Sequence, residues 1–260
     1  MPRRDLSDSL DQVADLVIQS SKIVVFTGAG ISTESGIPDF RGPDGIWRKL
    51  DPEEFTIQKF LSSAENRRRH WGILAEGGLA RSSEPNPAHY AIAEMEKIGK
   101  LSCVITQNVD NLHQKAGNSP EKVLELHGNM KRVRCIRCGK LFPMEDVLRM
   151  LEAKEPPDCS SCRGILKPDV VFFGESLPQD TLEEAISHSR DCDLFIVIGS
   201  TLVVYPAAYM PVYAVESGAS LVIINLGSTP LDSHAKILIN AKAGETMSNL
   251  MERVGNRLMS

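Results

Sequence analysis

The chain has 260 residues, enough for one large domain or for one domain that carries a smaller module. Its 29 basic and 34 acidic residues leave a net charge of −5, which argues against a general nucleic-acid-binding protein. The first residues are charged, and no run approaches the roughly 20 apolar residues of a membrane span. We therefore expect a cytoplasmic protein that binds neither nucleic acid nor membrane.

The predicted elements alternate between helices and strands along the chain. An amphipathic helix is predicted first, over residues 6–20, because apolar residues recur on one helical face. Near-continuous apolar runs then predict buried strands at 22–27, 101–106, 123–126, 169–173, 193–198, 220–225 and 236–239. Further helical patterns lie at 87–99, 179–190 and 206–217. This alternation predicts an α/β fold with a doubly wound, mostly parallel, Rossmann-like sheet.

Two stretches interrupt the alternation. Residues 43–86 are polar and weakly periodic, with helical pieces around 53–75, and we predict a helical insertion there. Residues 128–167 hold four cysteines and few core residues, which is typical of a small metal-binding module. The remaining segments would form the sheet domain; they are 1–42, 87–127 and 168–260.

The cysteines show the most specific spacing, C-x2-C-x20-C-x2-C. The four residues of this pattern are Cys135, Cys138, Cys159 and Cys162. Four thiolates fill the tetrahedral shell of a zinc ion and leave no open position, so the predicted zinc is structural. Four unrelated thiols, or a redox pair, are the alternatives. Cys103 lies in a predicted apolar strand and Cys192 directly before another, and both are expected in the core.

A glycine-rich turn follows the first predicted strand, in "KIVVFTGAGISTESGIPDFRG" (22–42). Gly28 and Gly30 allow the backbone to approach a phosphate, and a helix starting near Ser32 would point N–H groups at it. The third glycine of the dinucleotide fingerprint is missing, because Thr33 stands in its place. A plain strand-to-helix turn is the alternative at this point.

Polar side chains follow two other predicted strands. Gln107, Asn108 and Asp110 lie in "TQNVDNLH" after strand 101–106, and His127 lies in "ELHGN" after strand 123–126. Ligands bind at the carboxyl ends of strands in open α/β sheets, and a histidine there can act as a general base. A polar cap of the next helix and a structural histidine are the alternatives.

Taken together, these motifs resemble those of the sirtuins, the Sir2-type NAD-dependent protein lysine deacylases. From about residue 15 to 250 the chain carries "GAGIS", "GIPDFRG", "TQNVDNLH", "LHGN", the paired C-x-x-C, "KPDVVFFGE", "GSTLVVYPAA" and "VIINLG" in the family's order. The resemblance implies that NAD is consumed as a substrate and that zinc is structural. The departure at Thr33 fits a loop that folds over the nicotinamide ribose.

The resemblance also implies roles for individual residues. NAD would be contacted by Gly28, Ala29, Gly30, Ser32, Thr33, Phe40, Arg41, Gln107, Asn108, Val109, Asp110, Gly199, Ser200, Thr201, Asn225, Leu226, Ala243 and Gly244. The catalytic residues would be His127, Asn108 and Asp110. Asp110 would accept from the nicotinamide amide, and the acyl-lysine carbonyl oxygen would attack C1′ of the ribose. His127 would take a proton from a ribose hydroxyl. Water would complete the reaction, and the products would be lysine, nicotinamide and O-acyl-ADP-ribose.

The motif "DVVFFGE" predicts where the acyl-lysine substrate binds. The predicted contacts are Val171, Phe172, Phe173, Gly174 and Glu175, and an extended peptide could add as a strand along the last three. Val171 and Phe173, with Phe40 and Val109, would form an apolar tunnel for the lysine stem. Plain core packing is the alternative for "VVFF". We expect the protein to act on acyl-lysine proteins or peptides as a monomer.

The acyl preference follows from an absence in the insertion. Sirtuins that favour succinyl or malonyl groups carry a Tyr-x-x-Arg pair there, whereas residues 43–86 contain no tyrosine. The run Arg67, Arg68 and Arg69 is typical of a solvated helix face. We therefore expect a short neutral acyl group such as acetyl.

Three other functions are compatible with parts of this sequence. Protein mono-ADP-ribosylation could use the same NAD site, and no residue separates it from deacylation. A non-enzymatic NAD-sensing or zinc-ribbon module would need no general base, so His127 beside Asn108 and Asp110 argues against it. The missing fingerprint glycine and acidic residue argue against a nicotinamide dehydrogenase.

Overall fold

The computed structural model describes residues 5–42, 45–76, 83–151 and 158–259. Its strands are β1 (Ile23–Thr27), β2 (Leu101–Thr106), β3 (Val123–Glu125), β4 (Gly128–Cys135), β5 (Leu141–Pro143), β6 (Leu166–Val170), β7 (Leu194–Ile198), β8 (Ser220–Ile224) and β9 (Ile237–Ile239). Its α-helices are α1 (Leu6–Gln19), α2 (Ile57–Ser62), α3 (Ala64–Ala75), α4 (Pro87–Lys97), α5 (Leu112–Ala116), α6 (Met144–Arg149), α7 (Gln179–Asp191), α8 (Met210–Glu216) and α9 (Ala243–Met259). Among these helices, none combines the length and the apolar character that crossing a bilayer requires.

The larger sheet has six parallel strands in the order β3-β2-β1-β7-β8-β9. Chain order runs outward from β1 on one side and from β7 on the other, so the topology switches between these two strands. Every residue of β1 and β7 is buried, as expected for parallel strands covered on both faces. The predicted doubly wound α/β fold is confirmed, and its switch point is where such sheets bind ligands.

Helices cover both faces of this sheet. Val25 of β1 packs in a core that includes residues of α1, α4 and α9, whereas its neighbour Phe26 packs in a second core with residues of α7 and α8. The alternation follows from the two-residue period of a strand. The sequence analysis did not predict α9, although it is the longest of the described helices and packs against α1 and α4.

A second, antiparallel sheet has the order β5-β4-β6. The predicted strand 169–173 was wrong in both position and partner. The strand here is β6, and it pairs with β4 instead of joining the parallel sheet. Residues 171–173 leave β6 as a loop that packs on aromatic side chains. An apolar run by itself does not separate a buried strand from such a loop.

The two insertions pack on each other. The helical pieces expected around 53–75 are confirmed as α2, α3 and a short 3₁₀ helix, Pro52–Phe55. Trp71 of α3 is fully buried in a small core with Val133, Val147 and Leu166 from the cysteine-rich segment. The two segments therefore form one small layer beside the parallel sheet.

The turn after β1 also differs from the prediction. In place of a helix starting near Ser32, a 3₁₀ helix runs from Ala29 to Ser35 and ends at Gly36, whose φ is 82°. The Thr33 hydroxyl donates to the Gly30 carbonyl at 3.0 Å, a local hydrogen bond of the kind that competes with α-helical pairing.

Candidate active site

A cavity of about 370 Å³ lies between the carboxyl ends of β1, β2 and β3 and the small layer. Predicted catalytic and NAD-contacting residues among its lining are Ala29, Ser32, Phe40, Arg41, Gln107, Asn108, Val109, Asp110 and His127. The five predicted substrate residues, Val171, Phe172, Phe173, Gly174 and Glu175, line it as well. Segments far apart in the chain thus meet around one space.

Ser32, Asn108 and Asp110 form a hydrogen-bonded chain on one wall. The Asn108 amide nitrogen Nδ2 donates to the Ser32 hydroxyl at 3.1 Å and to the Gly28 carbonyl at 3.2 Å. The Ser32 hydroxyl donates to Asp110 Oδ2 at 2.7 Å, and the Leu112 N–H donates to Oδ1 at 3.0 Å. Burial raises the pKa of Asp110, while these two donors act in the opposite direction. The carboxylate is held in one orientation, as a positioned hydrogen-bond acceptor requires.

A second series of hydrogen bonds runs from the backbone of Asn108 into the core and holds that residue in place. The Asn108 N–H donates to the Thr106 hydroxyl at 3.0 Å, and the Thr106 and Thr27 hydroxyls are 2.8 Å apart. His113 Nε2 lies 2.9 Å from the Thr27 hydroxyl, and its ring centroid is 5.0 Å from that of His89. Burial lowers the pKa of His113 well below 6.5 and that of His89 to about 4. Both rings are therefore neutral at pH 7.

His127 lies between β3 and β4, where the two sheets meet. Its Nδ1 is 2.9 Å from the Gln107 carbonyl oxygen, which can only accept, so Nδ1 carries the proton and Nε2 keeps its lone pair. Burial lowers the pKa of His127 below 6.5, and the hydrogen bond to Gln107 acts against this. The geometry provides a neutral imidazole whose Nε2 can accept a proton at pH 7.

The glycines after β1 and β7 bring two loops into backbone contact. The Gly30 N–H donates to the Gly199 carbonyl at 2.9 Å. A Cβ on Gly30 would lie 2.8 Å from Gly199 Cα, and Gly199 has a φ of +63°. A side chain is excluded at both positions because the two loops approach each other closely, and the predicted approach of this turn to a phosphate stays a prediction. Gln107 Nε2 donates to the Ser200 hydroxyl at 2.9 Å and ties the loop after β2 to the same point.

The other predicted NAD contacts lie outside the cavity: Gly28, Gly30, Thr33, Gly199, Ser200, Thr201, Asn225, Leu226, Ala243 and Gly244. Those after β7, β8 and β9 follow the same carboxyl edge of the sheet. Leu226 is 60% exposed, and the N–H of Gly244 at the start of α9 donates to Glu34 at 2.7 Å. Their contact with NAD stays a prediction.

The four residues of the predicted apolar tunnel lie along one aromatic wall, and their contact with a lysine stem stays a prediction. Phe40, Val109, Val171 and Phe173 all line the cavity. Trp47 joins them, with its ring centroid 5.2 Å from that of Phe40 and 5.7 Å from that of Phe173. Such a wall suits the methylene stem of a lysine whose charge an acyl group has removed.

One part of the strand-addition prediction was wrong. The N–H of Phe173 donates to the Phe55 carbonyl at 3.0 Å, and its carbonyl accepts from the Ile57 N–H at 3.0 Å. Phe173 therefore offers its ring and has no backbone group left for a peptide. Gly174, by contrast, has backbone groups without a partner among the described residues.

Sixteen other residues that line the cavity were not predicted from the sequence. They are Ile37, Pro38, Ile46, Trp47, Leu50, Phe55, His70, Ile73, Leu74, Met130, Pro168, Val170, Leu177, Val204, Tyr205 and Pro206. The motif "GSTLVVYPAA" carried a signal for the last three, since it follows a buried strand. The residues of the helical insertion carried none beyond their apolar character, because only tertiary packing brings them to the cavity.

The arginine run of α3 is committed elsewhere. Arg67 Nη1 donates to the carbonyls of Phe60 and Leu61 at 2.8 and 2.9 Å, and Arg69 pairs with Glu54 at 2.7 Å. Among the described residues that line the cavity, Arg41 is the one with a permanent positive charge. None of the three arginines of the run is among the residues that line the cavity.

The four predicted metal ligands converge in the small layer. The sulfurs of Cys135, Cys138, Cys159 and Cys162 all lie within 4.8 Å of one another. The Cys135–Cys162 and Cys138–Cys159 sulfur distances are 3.5 and 3.8 Å. A tetrahedron with zinc–sulfur bonds of about 2.3 Å has edges of about 3.8 Å, so the donors fit zinc. They would hold the ion in a closed shell that supplies cross-linking and no open site for chemistry.

The two turns that carry these cysteines are built alike. The Gly139 N–H donates to the Cys135 carbonyl at 2.9 Å, and the Arg163 N–H donates to the Cys159 carbonyl at 2.8 Å. Gly139 and Arg163 both have positive φ, 72° and 60°. The repeated geometry directs both cysteine pairs to one point.

Comparison with known proteins agrees with this geometry. Residues 28–206 match the Sir2 family. The NAD-dependent protein deacetylase 1 of Pyrobaculum aerophilum is 46% identical over 253 residues, 97% of each chain. A solved complex of Sir2 with a p53 peptide and NAD+ is 45% identical, with a TM-score of 0.85 over 94% of this chain and 98% of that chain. A second, of Sir2 with a deacetylated p53 peptide and 3′-O-acetyl ADP ribose, is 46% identical, with a TM-score of 0.86 over 94% and 97%. Matched over most of its length by sequence and by structure, the chain belongs to the Sir2 family.

Proposed function

We infer that this protein is an NAD-dependent protein lysine deacylase, which transfers an acyl group from lysine to ADP-ribose and releases nicotinamide. The observation that carries the proposal is that a neutral histidine, an oriented Asn–Asp pair and an apolar wall share one cavity. Related Sir2 structures hold a peptide with NAD+, or a deacetylated peptide with 3′-O-acetyl ADP ribose. Those two complexes represent the substrate and product sides of the proposed reaction.

The NAD side is assigned to the loops after β1, β2 and β7. The loops after β1 and β7 meet at the switch point of the sheet, where the Gly30 N–H donates to the Gly199 carbonyl, and the pyrophosphate is assigned to this point. Asp110, oriented by the Ser32 hydroxyl, is placed to accept from the nicotinamide amide. Asn108 is fixed from below by Thr106 and is assigned to the nicotinamide ribose.

His127 is assigned as the general base. Its Nδ1 proton is committed to the Gln107 carbonyl, so Nε2 is the atom that accepts the proton of a ribose hydroxyl. The carbonyl of His127 accepts from the Val171 N–H at 2.9 Å, so the base and the acyl-lysine wall are joined through the backbone.

The peptide is assigned to the exposed end of the loop after β6. Gly174 has free backbone groups there, and 204–206 line the same cavity. Val203, just before them, is 46% exposed and has no backbone partner among the described residues. Main-chain pairing at these positions would tolerate many flanking sequences. A monomeric state and a cytoplasmic location stay predictions, the first of them open to sedimentation analysis.

A neutral acyl group is proposed because apolar and aromatic side chains dominate the cavity wall and Arg67 and Arg69 are bound elsewhere. The test compares kcat/KM on one peptide carrying acetyl-lysine or succinyl-lysine. We expect the acetyl peptide to be the better substrate. A higher value for succinyl would refute the neutral preference and leave the reaction class intact.

The reaction itself is tested by mass spectrometry of an acetyl-lysine peptide incubated with the protein, with and without NAD. We expect acetyl loss only with NAD, together with nicotinamide and O-acetyl-ADP-ribose. Nicotinamide release with addition of ADP-ribose to protein, and the acetyl group retained, would favour the mono-ADP-ribosyltransferase alternative. No reaction across acetyl, propionyl and butyryl peptides would contradict the proposal.

A further inference from the structure

Lys167 is a buried lysine at the junction of the two sheets, and neither the zinc site nor the cavity accounts for it. It lies on β6 opposite Arg134 of β4, and it is 5% exposed. Lysine is rarely buried unless its charge is paired, since taking an ammonium group out of water is costly. Lys167 is absent from the cavity lining, so any effect on substrate passes through other residues.

All three ammonium protons of Lys167 have acceptors within the loop that follows it. Nζ contacts the carbonyl oxygens of Val170 and of Pro168, the latter at 3.2 Å, and it lies 2.9 Å from Glu175 Oε2. The same Oε2 accepts the Phe172 N–H at 2.7 Å. Since an ammonium group has three donors, these three acceptors satisfy all of them. The contacts join the two ends of the loop that follows Lys167.

The peptide group between Val170 and Val171 is held from both sides. Its carbonyl accepts from Lys167, and its N–H donates to the carbonyl of His127 at 2.9 Å. The ammonium group therefore contacts the same rigid peptide plane that is hydrogen-bonded to the backbone of the proposed base. A shift of this plane would move the loop and the backbone of His127 together.

The far side of the loop is anchored on the helical insertion. Lys167 Nζ lies 4.6 Å from the centroid of the Phe172 ring, which in turn stacks on His70 of α3 at 5.2 Å. Phe173 is bound through its backbone to Phe55 and Ile57. With these neighbours held, Gly174 is the point at which the loop presents free backbone groups.

We propose that Lys167 is a positioning residue. Its ion pair with Glu175 fixes the position of the acyl-lysine loop, residues 168–175, relative to the backbone of His127. This rests on the proposed deacylase function. It assigns to the lysine of "KPDVVFFGE" a role in peptide affinity and alignment that is separate from NAD binding.

The experiment measures peptide and NAD kinetics for four variants and the wild type. Lys167→Met removes the charge, and Lys167→Arg keeps it and its donors. Lys167→Met with Glu175→Gln removes both charges, so that no unpaired carboxylate is left buried if the single variant fails to fold. Lys22→Met is the matched control, because it breaks an exposed pair with Asp191 at 2.6 Å near the amino end of β1.

We expect kcat/KM for the acetyl peptide to fall about tenfold or more in both Met variants. This is the size of effect expected when one hydrogen bond to a charged group is lost. The dissociation constant for ADP-ribose should stay within about twofold, and Lys167→Arg should recover most of the peptide kinetics. Lys22→Met should match the wild type. Hydrogen exchange should rise in residues 168–176 and stay unchanged in β1.

Two results would overturn the proposal. One is an unchanged peptide kcat/KM in a folded Met variant. The other is an equal loss of peptide and ADP-ribose affinity with faster exchange in both regions, which would show a merely structural lysine. A wild-type protein that deacylates no peptide would instead refute the proposed function, and the exchange of residues 168–176 would still decide whether Lys167 fixes the loop.

Discussion

Along β1 and β7 of the six-stranded sheet every residue is buried, whereas each of the three residues of β5 in the smaller sheet is exposed or half-buried. The first sheet is stabilised by apolar burial on both faces. The second has a core of few residues, centred on Trp71 and Val133, and its ends are tied by the cysteine cluster. The wall for the acyl-lysine is therefore built on the region with the smaller apolar core, because β6 leads directly into that wall.

His127 and Lys167 lie where the two regions meet. His127 follows β3 of the large sheet and precedes β4 of the small one, and Lys167 lies on β6. The large sheet thus positions the NAD contacts, and the small one positions the acyl-lysine loop. Substitutions in one sheet or the other should separate these two contributions.

The largest expected effect is that of Cys159→Ser. A structural zinc site contributes about 10 kcal/mol or more, so we expect loss of bound zinc and rapid hydrogen exchange over the described parts of 128–170, with β1 and β7 still protected. Metal analysis and hydrogen exchange measure both. Cys192→Ser, in the core of the large sheet, is the control and should keep its zinc. Simultaneous loss of protection in β1 would show that the two regions unfold as one unit.

The second prediction concerns the junction. His127→Ala should lower kcat by about 10²–10⁴-fold with the fold and ADP-ribose affinity retained, because a general base acts mainly in the transition state. His188→Ala is the control, since His188 bonds to Ser102 near the amino end of β2 at 3.0 Å. Full activity of the His127 variant would exclude His127 from the mechanism.

In the wild type, the acid limb of the pH profile of kcat/KM should lie below pH 6.5. The active form of His127 is the neutral one, and burial lowers its pKa.

The third prediction compares one substitution in both regions. Val25→Ala and Val133→Ala each remove two methyl groups from a fully buried site. We expect Val25→Ala to lower the free energy of global unfolding by about 2–3 kcal/mol. Val133→Ala should make local opening of the small layer easier and leave the free energy of global unfolding nearly unchanged. Equal effects on global unfolding by denaturant would show that the two regions unfold as one unit.

The smallest expected effect is a pH dependence of the free energy of unfolding that arises from His89 of α4, a helix packed on the large sheet. The unfolded chain protonates His89 near pH 6.5, whereas burial lowers the folded pKa to about 4. The contribution of buried, neutral His89 to the free energy of unfolding is therefore fully present above pH 6.5 and is lost as the pH falls below that value. From about pH 7.5 to about pH 5.5 the loss from this group is about 1.4 kcal/mol. His89→Gln should reduce the pH dependence by that amount, and an unchanged slope in denaturant titrations would show that His89 is not responsible.

Much of the site could be predicted from sequence because its residues follow strands in the chain. Asn108, Asp110 and His127 each come directly after a buried apolar run, and parallel strands bring their carboxyl ends to one edge. The cysteine spacing alone gave the metal ligands, since two C-x2-C pairs can meet around one ion. Phe173 shows the limit, because its backbone is already paired with a segment more than a hundred residues away.

By itself the sequence determined the parallel α/β sheet, the four sulfur ligands, and the residue types at the strand ends. These follow from local periodicity and from the chemistry of short motifs. Only the tertiary structure decided that β6 belongs to the antiparallel sheet, that α3 packs on the cysteine module, and that Lys167 is buried against Glu175. Each of these depends on which distant segments exclude water from one another, and no local pattern records that choice.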